Sequence, residues 1–347
     1  MEKEKNNWLI GAIVGISALT ALSLIGKKRR QVSFEDKVVL ITGGSRGLGL
    51  VLARQFADEG AKIAICARNH EELLRARTDL EKLGAEVFEA VCDVRSQEQV
   101  NQMIDDVYAH YGKIDVLVNN AGVIQVGPLE TQTKEDFENA MDVHFWGPFY
   151  TMQAVVQKMR ETGEGRIVNI SSIGGKVSVP HLAPYCASKF ALVGLSSAMR
   201  AELTKDNIYV TTVCPGLMRT GSHINAMFKG KNELEFALFS LMNASPFTSV
   251  SAEKAAREIV EACRRGEAET IISVQAQIAA KANAVVPELV AEISGLISRL
   301  LPSAGDHGTE QLLGKHSTSP LSPSFLTAPL DAASVRNNEL KPNETIQ

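Results

Sequence analysis

Between residues 37 and 274, short β-rich runs alternate with longer helical patterns, and this alternation most constrains the fold. Apolar runs at 37–42, 62–67, 86–91, 115–118, 166–170, 209–213 and 270–274 read as strands. The intervening stretches 47–58, 69–83, 96–111, 134–159, 183–203 and 252–264 read as helices, with Ser96 as an N-cap. Strands that alternate with helices build a parallel sheet covered on both faces. The expectation is therefore a doubly wound α/β domain of seven strands, spanning residues 36–274.

The first strand runs into Thr42, Gly43, Gly44, Ser45, Arg46, Gly47, Leu48 and Gly49, and a helix follows. A glycine loop between a first strand and its helix lets backbone approach a pyrophosphate at the helix N-terminus. The second strand ends Cys66-Ala67-Arg68, without the acid that would bind the ribose 2′-hydroxyl of NAD. Arg46 and Arg68 suit a 2′-phosphate instead, which favours NADP(H) and leaves NAD(H) as the alternative. Asp93 and Val94 close the third strand, and Asn120, Ala121 and Gly122 close the fourth. Asp93 is placed to accept from an adenine amino group, and Ala121 and Gly122 are small enough for close approach of a ligand.

Ser172, Tyr185 and Lys189 form the second cluster. Tyr185 and Lys189 stand at i and i+4, on one face of a helix. An ammonium about 4 Å from a phenol favours the phenolate by about 1–4 kcal/mol, so a tyrosine pKa near 10 falls by about one to three units. The expectation is a tyrosine that exchanges a proton near neutral pH.

With these motifs in order, and with Pro215-Gly216 followed by Thr220, the chain resembles the short-chain dehydrogenase/reductase family over residues 36–274. The resemblance implies a Rossmann fold and reversible hydride transfer between NAD(P)(H) and a carbonyl/alcohol pair. It implies Tyr185 as general acid and Lys189 as the group that lowers its pKa and binds the nicotinamide ribose. Ser172 would donate to the carbonyl oxygen; Ser171 competes, but the thirteen-residue spacing to Tyr185 selects Ser172. Gly43 to Gly49, Asp93, Val94 and Asn120 would contact the cofactor. Pro215, Gly216 and Met218 would flank the nicotinamide, with Thr220 near its carboxamide. One position departs: where many relatives carry an Asn that holds a relay water, this chain has His144. An imidazole also donates and accepts, so His144 is expected to substitute in the relay. The rival expectation is a structural histidine. His144 is also the one mark in favour of a second reading of the chain, a non-catalytic NADP-binding scaffold or sensor.

Residues 222–247, which close over substrate in the family, are rich in Ile, Met, Phe and Leu, as suits a lipophilic substrate. The ends add to this. Residues 8–26 are apolar and uncharged, long enough at about 1.5 Å per residue to cross a bilayer, and Lys27, Lys28, Arg29 and Arg30 follow. Residues 1–30 are thus expected to be a transmembrane anchor with a basic stop, leaving the catalytic domain on the cytoplasmic side. Residues 275–301 read as one apolar helix and 302–347 as a disordered tail. A formal charge of −4 gives no case for nucleic acid. Five cysteines without a CxxC pair point to free thiols. The resemblance suggests a homodimer or homotetramer through the helices at 134–159 and 183–203.

Overall fold

The computed structural model describes residues 30–305, 308–341, 344 and 346. The expected anchor at 8–26 lies outside them. Among the described residues no helix is long and apolar enough to cross a membrane.

The strands are β1 (Val38–Thr42), β2 (Lys62–Ala67), β3 (Val87–Val91), β4 (Val116–Asn119), β5 (Gln125–Val126), β6 (Gly165–Ile170), β7 (Ile208–Pro215), β8 (Leu217–Arg219), β9 (Met227–Phe228), β10 (Ser249–Ser251), β11 (Glu269–Ile272) and β12 (Leu312–Leu313). The helices are α1 (Gly47–Ala57), α2 (His70–Lys82), α3 (Gln97–Tyr111), α4 (Lys134–Met141), α5 (Gly147–Thr162), α6 (Ala183–Leu203), α7 (Asn232–Ala244), α8 (Ala252–Arg264), α9 (Val274–Val285), α10 (Pro287–Ser298) and α11 (Ala328–Arg336).

Seven strands form one parallel sheet in the order β3-β2-β1-β4-β6-β7-β11. Strand residues alternate between its faces. Val39 and Ile41 pack with Phe56, Leu73 and Ile259 from α1, α2 and α8. Val38 and Leu40 pack with Ile104, Val155 and Leu203 from α3, α5 and α6. Burial on both faces is why these runs are continuously apolar rather than alternating. In register, Thr42 pairs with Cys66 and Asn119, and Asn119 with Asn169. The loops after β1, β4 and β6 therefore leave one edge of the sheet side by side. The order reverses between β1 and β4, which is where such sheets open a crevice.

Three expectations are corrected. The helix expected at 134–159 is broken: α4 ends at Met141, a π-helical turn spans Asp142–Trp146, and α5 begins at Gly147. Pro148 has no N–H to continue the α pattern, and Gly147 N–H bonds five residues back, to Asp142 O. The helix expected at 275–301 is two, because Val286 precedes Pro287 and adopts φ −133°, ψ 61°. The tail expected to be disordered is folded over most of its length. β12 pairs antiparallel with β9, and α11 buries Leu330, Ala333 and Ser334. Its polar residues bond to distant parts of the chain, which composition alone does not reveal. The small sheets β8-β10 and β5-β9-β12 were also unforeseen.

Candidate active site

A buried polar network seats the helices that carry the site. Thr151 Oγ1 donates to Asn119 Oδ1 (2.7 Å), and Asn119 Nδ2 to Asn169 Oδ1 (2.9 Å). Asn169 Nδ2 donates to Ser196 Oγ (3.1 Å), as does Thr212 Oγ1 (2.7 Å). The network ties β4, β6 and β7 to α5 and α6, and satisfied buried polar groups fix one arrangement. Nothing in the spacing of these five residues announces it.

On that platform α6 projects Tyr185 and Lys189 toward the loop after β6. Ser172 caps the short turn Ile173–Gly175 by accepting from Gly174 N–H (3.0 Å). The turn it caps packs against the Tyr185 ring. Gly174 and Gly175 allow this approach: a Cβ on Gly175 would stand 2.7 Å from Lys189 O, and one on Gly174 3.2 Å from the Tyr185 ring. Ser171 faces elsewhere, donating to Lys189 O (3.0 Å). Lys189 Nζ donates to Ile170 O (2.9 Å) and lies 5.6 Å from the Tyr185 ring centroid.

The electrostatics differ from the expectation. Burial pushes the Lys189 ammonium down to about 7. Burial pushes the Tyr185 phenol up to about 12, with the neighbouring Ser172 side chain acting in the opposite direction. The ring is only half-buried, so solvent on its open side offsets part of that rise. Desolvation outweighs the lysine's field, and in the protein alone the pair rests as a neutral phenol beside a half-deprotonated amine.

His144 sits in the π turn, buried, its ring edge-on to Tyr185 at 5.5 Å. Nε2 accepts from Val123 N–H (3.0 Å). Nδ1 lies 2.7 Å from Ser188 Oγ, whose hydrogen goes to Tyr185 O (2.9 Å). Nδ1 therefore carries the proton, and the ring is neutral. Burial, then the charge of Lys189, holds its pKa well below the usual range. Both ring nitrogens are engaged within the protein, which leaves none for a relay water. His144→Asn is expected to lose about 1–3 kcal/mol of stability from the unmade bonds, seen as a lowered Tm. The pH–rate profile should keep its shape; a displaced profile would restore the relay role.

The glycine loop lies beside this cluster. Gly43 adopts φ +63°, and a Cβ on Gly49 would collide with Gly43 O, so glycine is required at both. Gly44 N–H bonds Cys66 O (3.2 Å). Asn120 Nδ2 donates to Thr42 O and Gly43 O (both 3.1 Å), and Thr42 Oγ1 accepts from Asn120 N–H and Ala121 N–H. Asn120 thus holds the loop rather than facing the crevice, and Gly122 lies beside His144. Asp93 is clamped by Arg95 (2.6 Å), which holds its carboxyl below the usual range. Val94 packs on Gly147. Gly216 N–H bonds Ile272 O (3.0 Å), extending the edge beyond Pro215. Met218 pairs with Val250, Thr220 bonds Ser222 (2.8 Å), and Arg68 is exposed.

A short chain dehydrogenase family model matches residues 37–228. The chain belongs to the short-chain dehydrogenase/reductase family. It is 34% identical over 268 residues to "Dehydrogenase/reductase SDR family protein 7-like" of Anopheles gambiae, covering 76% of this chain and 82% of that one. A "3-oxoacyl-[acyl-carrier-protein] reductase" of Chlamydia muridarum is 36% identical over 186 residues, covering 53% of this chain and 75% of that one. The solved L-sorbose reductase of Gluconobacter frateurii, complexed with NADPH and L-sorbose, superimposes with TM-score 0.63 at 28% identity, over 70% of this chain and 97% of that one. This short-chain dehydrogenase/reductase is accordingly an NAD(P)-dependent oxidoreductase.

Its residues fit a dinucleotide. α1 has no acid in its first turn and no side-chain cap, so its N-terminal amides and dipole suit an anion. Sequence reasoning missed one contributor at that end. Asn337, Asn338 and Glu339, at the far end of the chain, lie against the loop. The available signal was faint: Leu330, Ala333, Ser334 and Asn337 stand at i, i+3, i+4 and i+7, a helical stripe in a polar stretch.

Proposed function

We propose that this chain interconverts a lipophilic carbonyl and its alcohol with NADP(H), Tyr185 being the general acid and base. The meeting of the Ser172 turn with the Tyr185 ring carries this reading, with Lys189 one helical turn behind. The cofactor supplies or takes the hydride. Ser172 and Tyr185 present two hydroxyls to one carbonyl oxygen, where Tyr185 delivers the proton and Ser172 holds the developing charge. Lys189, half-protonated near pH 7, responds to a neighbouring charge and completes the pair. Gly43 to Gly49 and the α1 amides would hold the bisphosphate. Arg46 and Arg68, with no acid at the end of β2, favour the 2′-phosphate of NADP(H).

Two observations favour a lipophilic substrate at a membrane. In the lid, Ile224, Phe228 and Phe236 are buried, the two Phe in a small core with Val126 and Ala226. Leu234, Leu238, Met242 and Phe247 remain exposed. The apolar run at 8–26 with its basic stop supports a single-pass anchor and a cytoplasmic catalytic domain. An aromatic cluster of Phe145, Trp146, Phe149 and Tyr150 at the start of α5, with Trp146 and Phe190 exposed, supports self-association through α5 and α6.

The test is carbonyl-dependent oxidation of NADPH and NADH by the full chain in mild detergent, with ketones of increasing chain length. We expect kcat/KM to rise with chain length and NADPH to be preferred. No turnover with any ketone or alcohol would end the catalytic reading, a preference for short polar ketones the lipophilic one, and a preference for NADH the cofactor assignment.

A further inference from the structure

Three segments converge over the N-terminus of α1: the glycine loop, the stretch after β8, and the run that follows α11. Gly47 N–H, at the first position of α1, donates to Asn337 O (2.8 Å). Glu339, its side chain 3% exposed, lies so close to Gly47 that a Cβ there would collide with its carboxylate. That carboxylate stands 3.5 Å from Arg46 Nε and accepts from Asn225 Nδ2 (2.7 Å). Asn338 Nδ2 donates to Ser45 O (2.8 Å) and Glu72 O (3.0 Å), and its Oδ1 accepts from Arg75 Nε (2.7 Å). Asn337 reaches from Arg54 (3.2 Å) to Thr220 O (3.0 Å).

The chemistry of this contact is specific. The second glycine of such a loop lacks a side chain so that pyrophosphate can approach its backbone. Here that space holds a carboxylate oxygen, and the neighbouring amide is taken by a carbonyl. A strap built to close over a bound bisphosphate would offer donors. Toward Gly47 and Arg46 this one offers acceptors, as the bisphosphate itself does. We propose that residues 327–339 are an intramolecular occupant of the dinucleotide site, with the Glu339 carboxylate in the position of the cofactor's bisphosphate, so that cofactor enters as the segment leaves. The inference rests on the reading of this crevice as a dinucleotide site. Burial raises the pKa of the Glu339 carboxyl, with Arg46 and Asn225 opposing, so the group is held at a cost that its release recovers. Two anions do not share so enclosed a space, which makes docking of the segment and binding of the cofactor exclusive.

Cofactor dissociation constants for the full chain in mild detergent test this, with wild type, Glu339→Gln and Asn338→Ala compared. Glu339→Gln removes the anion without shortening the segment, and Asn338→Ala removes an anchor outside the phosphate position. Both are expected to bind NADPH about fivefold or more tightly than wild type. In wild type, NADPH is expected to speed amide hydrogen exchange at 328–341. Unchanged or weaker binding in both variants, or slower exchange in that segment, would overturn the proposal while leaving the dinucleotide site intact. If neither wild type nor variant binds NADPH or NADH, the dinucleotide reading falls, and this inference with it.

Discussion

Replacing Tyr185 by Phe is expected to lower kcat for ketone reduction by about 10²–10⁴-fold, the range that a positioned proton donor contributes. Only a hydroxyl leaves a half-buried ring, so fold and NADPH affinity should be nearly unchanged. Stopped activity with intact cofactor binding separates loss of the proton from loss of the site. A variant that kept its rate would remove Tyr185 from the chemistry. Lys189→Met should also stop turnover, but unlike Tyr185→Phe it should raise stability. The folded-state pKa of Lys189 is about 7 against an ordinary 10.5. Between those values the unfolded chain holds a proton that the folded chain does not, so this group makes stability rise with pH across that window. Below about pH 7 the full cost of burying the ammonium is present. Lys189→Met should therefore raise Tm clearly at pH 6, and the gain should shrink toward pH 10. Equal gains at both pH values would mean that the amine is not the buried, depressed group described above.

Lys229→Met is expected to destabilise the protein by about 3–5 kcal/mol, the usual result of leaving one member of a buried ion pair alone. Lys229 Nζ meets Asp136 Oδ2 at 2.5 Å, with side chains 3% and 9% exposed. Lys229 also donates to Thr131 O (3.3 Å). Asp136 caps α4, accepting from Thr133 N–H (2.7 Å). Burial pushes the Asp136 carboxyl up, but Lys229 and its other donors hold it below the usual range. Its contribution is therefore present at neutral pH and lost as pH falls through that depressed value. The pair joins α4 to the end of β9, so its loss should loosen the lid and raise KM for long-chain ketones as well as lower Tm. Adding Asp136→Leu to Lys229→Met should recover most of the stability, since the stranded carboxylate is then gone. If the double variant melts no higher than the single one, the stranded charge is not the cause.

The seven main strands, the glycine loop and the Ser172, Tyr185, Lys189 cluster were legible in the sequence because each rests on short-range rules. Burial on both faces makes runs such as 62–67 continuously apolar, and a first strand ending in glycines leaves few folds open. The i, i+4 spacing places Tyr185 and Lys189 on one face without any knowledge of the sheet. Their protonation states were not legible, because desolvation depends on what packs around them. The role of His144 was not either: whether its nitrogens were free depended on Val123 and Ser188 arriving there. The tail at 302–347 is the plainest case. Its composition matches disorder, yet Asn337 and Glu339 are buried against the start of α1. Local pattern determined the strands, helices and motif spacings, since these depend on neighbours in the chain. Tertiary structure alone decided charge states, hydrogen-bond partners and what lies over the glycine loop, since burial and partnership come from residues tens to hundreds of positions away.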